Sequence, residues 1–272
     1  SPIFCYLSQR EAEKRVSKTT ASVSSRNASR RDRATASGSE GQGDVGGVVV
    51  ELSAAIIALA DESPQTLLVR APGDISPPGL PCGPFDPLRH RTLEEGLRSW
   101  VGEQTGLHVG YVEQLYTFGD RDRDPGLRVG GARPVSVGYL ALVRQAAARN
   151  PSGATWNDWY RYFPWEDWRD GPPTLLESFI LPLLTSWCNA AKSRPQKQRR
   201  RERTDLTFGR DGGSWDNERV LERYELLFEA GLVAEAVPDG EGTPIVAPLK
   251  TDARSGVVLT KDHRRILATG MG

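Results

Sequence analysis

The sequence predicts an α/β (α+β) fold: a sandwich with a mixed β-sheet between helices, followed by a mostly helical C-terminal region. The first observation behind this prediction is a series of apolar, β-branched segments typical of strands, at 48–60, 65–71, 110–120 and 135–144. The second is a helical repeat of apolar residues between the second and third of these segments. Strands interrupted by a helix favour a layered α/β arrangement.

The first two segments, "VVVELSAAIIALA" and "QTLLVRA", flank the turn sequence "DESP", so we expect a hairpin or two neighbouring strands. The next stretch, "PGDISPPGLPCGPFDP", is rich in proline and glycine, and we expect a loop. Thr92 then provides an N-cap, with Glu94 and Glu95 in the first helical turn. Gly106 is the residue type that ends a helix, which bounds the predicted helix on both sides.

The C-terminal region is predicted to be mostly helical. Residues 174–191 form an amphipathic pattern that Pro182 should bend, and residues 214–236 form a second one with Ser214 as its cap. Between them, "KSRPQKQRRRERT" (192–204) reads as an exposed basic segment. Upstream, "WNDWYRYFPWEDW" holds four of the seven tryptophans, which indicates either a base-stacking platform or, with more weight, packing between domains or a dimer surface.

Composition excludes some classes of function. The chain has 35 basic and 35 acidic residues, so only a local charge cluster could attract nucleic acid or a membrane surface. No apolar run reaches membrane-spanning length. The three cysteines have no metal-ligand spacing and fit a reduced, cytoplasmic compartment. Residues 1–47 are rich in Ser, Arg, Ala and Gly, and we expect a disordered leader there.

A glycine-bearing loop followed by a helix ending in "EQTGL" resembles the Nudix box, G-x5-E-x7-R-E-U-x-E-E-x-G-U, in which U is apolar. The stretches "YVEQLYTFGDRDRDPG" and "VSVGYLALV" are similar to the segment after the box in ADP-ribose-type Nudix proteins and in Nudix-related transcriptional regulators of NAD metabolism. Residues 156–236 resemble the regulator branch. The resemblance implies an α/β/α sandwich over 48–150, a nucleotide ligand beside the helix, and a winged-helix DNA-binding domain after the sandwich.

The match to the box at residues 83–107 is partial. Gly106 and Val101 fall on its glycine and apolar positions, and Glu103 falls on the first of its paired glutamates. Other positions depart from it: Ser99 replaces the arginine, Trp100 the helix glutamate, Gln104 the second paired glutamate, and Arg91 the upstream glutamate.

These replacements bear on catalysis. Hydrolysis of a diphosphate needs a divalent metal, and Mg²⁺ requires hard, anionic oxygen ligands. Tryptophan has no such oxygen and glutamine offers a neutral one, so Glu103 alone would hold a metal weakly. We therefore expect hydrolysis to be lost or severely impaired. Mg²⁺ would be required only by a hydrolase, and sensing would need no cofactor.

The resemblance also places a diphosphate in the groove beside the helix. Arg70 ends a strand just before the loop and is a candidate for a phosphate contact, or else a surface arginine. Phe118 is a candidate for base stacking, with Asp120 and Arg121 for ribose or phosphate; the alternatives are a core phenylalanine and a solvated turn. Glu103 and Gln104 complete the predicted ligand set at the former metal site.

The basic segment is the best local case for nucleic acid, through Lys197, Arg199, Arg200 and Arg201, with a solvated linker as the alternative. The tail after residue 236 is too short for a complete winged helix, and we expect a truncated one. The predicted organisation is a leader (1–47), a Nudix-like domain (48–150), an aromatic and helical extension (151–236) and a tail (237–272).

Three functions compete. The first, which we favour, is a sensor that binds an NAD-derived nucleotide of the ADP-ribose type and regulates the transcription of NAD-metabolism genes. The second is an active Nudix hydrolase of a nucleoside diphosphate derivative. The third is a Nudix-fold scaffold for a protein partner. The expected partners are a nucleotide, with DNA and a second copy of the chain as open options, and no membrane.

Overall fold

The computed structural model of the chain describes residues 47–70, 73–120, 133–144, 153–236 and 253–271. Within these ranges, six strands form one mixed sheet, which confirms the predicted fold class. The strands are β1 (Val48–Ala60), β2 (Ser63–Leu68), β3 (Cys82–Pro84), β4 (Glu113–Phe118), β5 (Arg133–Leu142) and β6 (Thr155–Asp158).

The helices follow in two groups, one helix inside the sheet region and the others after it. They are α1 (Leu93–Thr105), α2 (Leu181–Asn189), α3 (Arg194–Thr207), α4 (Val220–Glu229) and α5 (His263–Thr269). A π-helical turn at Leu176–Ile180 leads into α2, whose first turn contains Pro182. The sequence predicted a bend at this proline, and the observed irregularity is the π-helical turn that precedes it.

The sheet has the order β4-β5-β1-β2-β6, and β3 pairs with β1 beside β2. β1 and β5 run parallel over a long register from Val48↔Arg133 to Ile57↔Leu142, while the other pairs are antiparallel. The predicted hairpin is present: Ala60 pairs with Ser63, and Asp61 and Glu62 between them adopt positive φ of 47° and 63°.

Helices cover both faces of the sheet. Side chains alternate along β1, so successive residues point to opposite faces. Leu52, Ala54 and Ile56 belong to the apolar cluster that contains Leu97 and Val101 of α1. Ala55 and Ile57 point the other way, into a cluster that includes α5 and the helical region. The chain therefore forms an α/β/α sandwich.

Two of the four tryptophans in the segment 156–168 pack in the interior. Trp159 and Trp165 are fully buried, and Trp159 stacks on Phe163 with ring centroids 4.4 Å apart. Trp168 packs on Trp215, with centroids 4.8 Å apart. These contacts join the segment after β6 to the helices that follow, as the packing alternative predicted.

Two buried arginines fasten the helical region to the rest of the chain. Arg223 of α4 forms a bidentate ion pair with Glu166 at 2.6 and 2.8 Å. Arg264 of α5 donates to Glu235 at 3.1 Å and to the Ser255 carbonyl at 2.6 Å. Charged side chains inside a protein are found in such paired, hydrogen-bonded arrangements because isolated ones are costly.

Two local predictions are corrected. The helix predicted over 214–236 is shorter: a 3₁₀ turn at Asn217–Arg219 precedes α4, and the carboxylate of Asp216, rather than the hydroxyl of Ser214, accepts the capping hydrogen bond, from Glu218 N–H at 3.0 Å. The predicted loop "PGDISPPGLPCGPFDP" contains the short strand β3. The basic segment, predicted as exposed, is mostly helix α3, which Ser193 caps through the Gln196 N–H at 3.3 Å. An Asp side chain caps as well as Ser, so the choice between them is not readable from the sequence.

The predicted domain boundaries remain a prediction, but two elements bear on them. β6, which lies beyond residue 150, pairs with β2 and extends the sheet. The described part of the tail, 253–271, contains α5, which packs on β1 and β4. The predicted leader lies outside the described residues except for Gly47. Among the described residues, no helix is long and apolar enough to cross a membrane.

Candidate functional site

Helix α1 is positioned by caps at both ends. Thr92 Oγ1 accepts a hydrogen bond from the Glu95 N–H at 3.1 Å, and the Glu95 carboxylate accepts one from the Arg91 N–H at 3.1 Å. Gly106 ends the helix in the left-handed conformation at φ 72°. The sequence predicted both ends. Arg91, at the upstream glutamate position of the box, is thus held by its backbone at the start of the helix.

Trp100 and Gln104 lie one turn apart on α1 and both bind the backbone of β3. The Trp100 indole N–H donates to the Pro84 carbonyl at 3.0 Å. The Gln104 amide oxygen accepts from the Cys82 N–H at 3.1 Å, and its nitrogen donates to the Cys82 carbonyl at 2.7 Å. Both side chains are buried. Where the resemblance places glutamates, this chain has a clamp that fastens α1 to β3.

Glu103, the remaining box glutamate, is exposed and accepts a hydrogen bond from Ser99 Oγ at 3.0 Å. Of the nearby carboxylates, Glu94 pairs with Arg98 at 3.3 Å and Glu95 serves the helix cap. Among the described residues, no group of three metal-ligating side chains includes Glu103. Of the four box positions that the resemblance assigns to glutamates, only residue 103 carries a carboxylate.

A different group, Glu51, Cys82 and His263, brings three buried ligand-type atoms within 4.8 Å of one another. Its chemistry does not fit a metal. The Lys261 ammonium forms an ion pair with Glu51, which places a positive charge where a cation would bind. The imidazole Nδ1 of His263 accepts a hydrogen bond from the Leu80 N–H at 3.0 Å, so the proton of the neutral ring belongs on Nε2, 3.7 Å from Glu51.

The Glu51 carboxylate stays ionised in the interior. Burial alone would raise its pKa, but the neighbouring Lys261 ammonium, together with the His263 imidazole, outweighs burial and lowers the pKa to about 2. Glu51 is therefore the anionic centre of a buried ion-pair group that joins β1 to the start of α5.

Two of the predicted ligand residues, Phe118 and Asp120, are brought together by Arg265 of α5. The Arg265 guanidinium lies 4.7 Å from the centre of the Phe118 ring. Its Nη1 donates to Asp120 at 2.6 Å, and its Nε forms an ion pair with Glu225 of α4. Phe118 is buried, so its ring face is covered by this arginine.

A small cleft of about 30 Å³ lies beside these residues, lined among others by Glu51, Phe118, Asp120, Lys261 and Arg265. Since a water molecule needs about 10–15 Å³ of such space, the cleft has room for a few waters and is too small for a nucleotide in this conformation. A larger ligand would have to displace the Arg265 guanidinium.

Of the other predicted residues, Arg70, Glu103 and Gln104 do not line this cleft. Arg70 is exposed just after β2, and its charge, with that of Arg161, partly opposes the burial that raises the pKa of Tyr162 to about 12. Arg121 lies outside the described residues. The predicted ligand-binding roles of Arg70, Glu103, Gln104, Phe118, Asp120 and Arg121 stay predictions.

The basic residues of α3 divide into two groups. Arg200 packs its guanidinium 4.1 Å from the Trp187 ring centre and donates to the Trp187 carbonyl at 2.8 Å. Arg203 forms a bidentate pair with Glu229 at 2.7 and 3.0 Å. The exposed cations predicted for DNA are then Lys197, Arg199 and Arg201.

Sequence reasoning missed Glu51, Lys261 and Arg265. One signal was present: Glu51 is a lone acidic residue inside the apolar run "VVVELSAAIIALA", where an unpaired charge would be costly. That signal indicates a buried partner without naming it, because Lys261 lies far along the chain. "TKDHRRIL" at 260–267 gave no comparable signal, since a run of charges near a helix start is usually solvent-exposed.

No family model matches the chain, and no curated protein matches it. Among solved structures, it is similar to the NUDIX domain of Shewanella oneidensis NrtR complexed with ADP ribose, at 25% identity and a TM-score of 0.37 over 44% of this chain and 79% of that one. It is also similar to a structure described as Shewanella oneidensis NrtR, at 27% identity and a TM-score of 0.35 over 40% of this chain and 52% of that one.

A further similar structure is a MutT/nudix family protein from Enterococcus faecalis, at 19% identity and a TM-score of 0.33, over 51% of this chain and 50% of that one. In the last two comparisons, the aligned region spans about half of the other protein's length. All three TM-scores are below 0.5.

Proposed function

We propose that this chain carries a Nudix-type domain that binds an NAD-derived nucleotide of the ADP-ribose type without hydrolysing it, as a sensor in the transcriptional regulation of NAD metabolism. The fold that supports the proposal is the parallel β1–β5 pair in a mixed sheet, with α1 on one face and α5 on the other. The loop and helix that resemble the Nudix box form β3 and α1 within this sandwich.

The observation that carries the loss of hydrolysis is the clamp between α1 and β3. Backbone groups of β3 engage both hydrogen-bonding ends of the Gln104 amide. They also engage the single N–H of the Trp100 indole. Neither side chain offers an anionic oxygen, and Glu103 faces solvent. A metal that must neutralise diphosphate oxygens and activate water therefore finds only the Glu103 carboxylate at the box positions of α1.

The observation that supports sensing is the ion-pair link through Arg265. A base stacked on Phe118 and a ribose at Asp120 would each take a place that the Arg265 guanidinium now occupies. Because Arg265 also pairs with Glu225 of α4, its displacement would change the contacts of the helical region. A ligand that favours the displaced state would shift the population of the two arrangements.

Calorimetric titration with ADP-ribose tests the proposal. We expect saturable binding of equal affinity in Mg²⁺ and in EDTA, because the box positions on α1, all within the described residues, keep only the Glu103 carboxylate. Binding that requires Mg²⁺ would contradict the proposal and favour the hydrolase. The absence of binding would contradict it as well and would favour the scaffold.

A further inference from the structure

We infer a second ligand site, in the groove between α2, α3 and the loop that follows α3, and we propose that it binds a phosphorylated sugar or a mononucleotide. The inference does not rest on the function proposed above. The groove has a volume of about 420 Å³, which lies within the range of about 300–1,000 Å³ typical of small-molecule sites. It is formed by the helical region and shares no lining residue with the cleft at Arg265.

Two cations line the groove from α3. Lys197 and Arg201 are four residues apart, so they project from the same side of the helix. Within the part of the chain that the structure describes, neither side chain has a hydrogen-bond or ion-pair partner, whereas the neighbouring Arg200 and Arg203 are both engaged. Two unengaged cations in a concave surface are a suitable site for a phosphate group.

Carboxylates lie in the same groove. Glu202 and Asp205 line it from α3. Carboxylate oxygens accept hydrogen bonds from hydroxyl groups, and they repel anions. A ligand that suits both the cations and the carboxylates therefore carries a phosphate group and hydroxyl groups. The phosphate would contact Lys197 and Arg201, and the hydroxyls would contact Glu202 and Asp205. Double-stranded DNA has no free sugar hydroxyls along its backbone, so the carboxylates disfavour it at this site.

The loop that closes the groove has a defined shape. Arg210 N–H donates to the Asp205 carbonyl at 2.8 Å, and the Arg210 side chain lies 3.9 Å from the Asp205 carboxylate. Gly209 adopts a left-handed φ of 60°, and a Cβ at this position would overlap the backbone at Ser214. Arg210 and Asp211 of this loop also line the groove. These contacts indicate a groove that is formed before a ligand arrives.

The test is a calorimetric titration of the full chain with ribose 5-phosphate, with ribose and inorganic phosphate as separate probes. We expect ribose 5-phosphate to bind more tightly than ribose alone or inorganic phosphate alone. Arg201→Ala should weaken its binding at least tenfold, because the variant removes a charge-assisted contact to the phosphate. The matched control is Arg199→Ala, because Arg199 is exposed on the same helix and does not line the groove. The affinity of this variant for ribose 5-phosphate should be unchanged.

Equal losses in the two variants would overturn the proposal, because they would indicate a basic surface that attracts any anion. A DNA duplex that binds the chain, and whose affinity falls equally in Arg199→Ala and Arg201→Ala, would also overturn the proposal. That result would indicate a nucleic-acid surface. The double variant Glu202→Gln/Asp205→Asn tests the role of the carboxylates. We expect it to weaken the binding of ribose 5-phosphate but not that of inorganic phosphate. Tighter binding of ribose 5-phosphate to this variant would show that the carboxylates only repel, and would also overturn the proposal.

Discussion

The indole of Trp100 occupies the space where a side chain at residue 83 would lie, and the residue there is glycine. The same ring donates its N–H to the Pro84 carbonyl at 3.0 Å. The fit means that α1 approaches β3 more closely than a side chain at this position would allow.

The first prediction concerns this fit. Gly83→Ala should lower the free energy of unfolding by about 1–3 kcal/mol, because the added methyl group overlaps a buried ring. Urea denaturation measures the loss. The control is Gly102→Ala on α1, where an added Cβ meets nothing closer than 3.9 Å; removing a helical glycine should stabilise the protein by about 0.5–1 kcal/mol. Equal effects of the two substitutions would contradict the packing described.

The second prediction concerns Gln104. Gln104→Glu keeps the acceptor shape but removes the donor to the Cys82 carbonyl, which then faces a carboxylate. We expect a loss of about 1–3 kcal/mol in stability and no hydrolysis of ADP-ribose. Glu103→Gln, at an exposed position, should change stability by less than about 0.5 kcal/mol. A Gln104→Glu protein that is fully stable and cleaves ADP-ribose would refute the structural role of this residue.

The third prediction is a pH dependence. The folded-state pKa of Glu51, about 2, is below its ordinary value of 4.5. Its ion pair therefore contributes stability that is fully present above about pH 4.5 and is lost as the pH falls toward 2. In Glu51→Gln/Lys261→Met, which removes both charges, unfolding midpoints should vary less across this window. An unchanged slope between these pH values would show that Glu51 is not the titrating group.

The fourth prediction separates buried from exposed ion pairs. Arg223 is fully buried with Glu166, so Arg223→Ala leaves a carboxylate without its partner and should cost about 3–5 kcal/mol. Arg219 pairs with Asp216 at the surface, and Arg219→Ala should cost less than about 1 kcal/mol. Chemical denaturation of both variants measures the difference. Similar costs would mean that the Glu166 carboxylate is hydrated in solution.

The fifth prediction concerns ligand access. If the Arg265 guanidinium must leave Phe118 and Asp120 before a nucleotide binds, Arg265→Ala removes that step and should tighten ADP-ribose binding by up to about tenfold. Arg203→Ala breaks a comparable pair with Glu229 away from the cleft and should leave the affinity unchanged. Weaker binding in Arg265→Ala would mean that the arginine holds the ligand instead.

The sequence predicted those features that depend on neighbouring residues. The caps of α1 at Thr92 and Gly106 follow from local chemistry, and the strands around them follow from apolar segments that a sheet must bury. Pro182, at which the missing N–H of proline predicted a bend, lies in the first turn of α2, directly after a π-helical turn. Each of these predictions required information from only a few consecutive residues.

The partners of buried charges could not be predicted in this way. Arg265 contacts Asp120, which is 145 residues away, and Lys261 contacts Glu51, which is 210 residues away. Periodicity indicates which face of a helix is buried, but it carries no information about which distant strand or helix covers that face. For the same reason, the sequence identified Trp100 and Gln104 as departures from the Nudix box but not as a clamp on β3.

The most direct test of binding without cleavage is a ³¹P NMR time course of ADP-ribose with the protein in excess Mg²⁺, followed over several hours. The account predicts diphosphate signals that shift or broaden and then remain intact, because α1 presents no carboxylate pair to a metal. Replacement of these signals by those of two phosphomonoesters would contradict it and would show an active hydrolase.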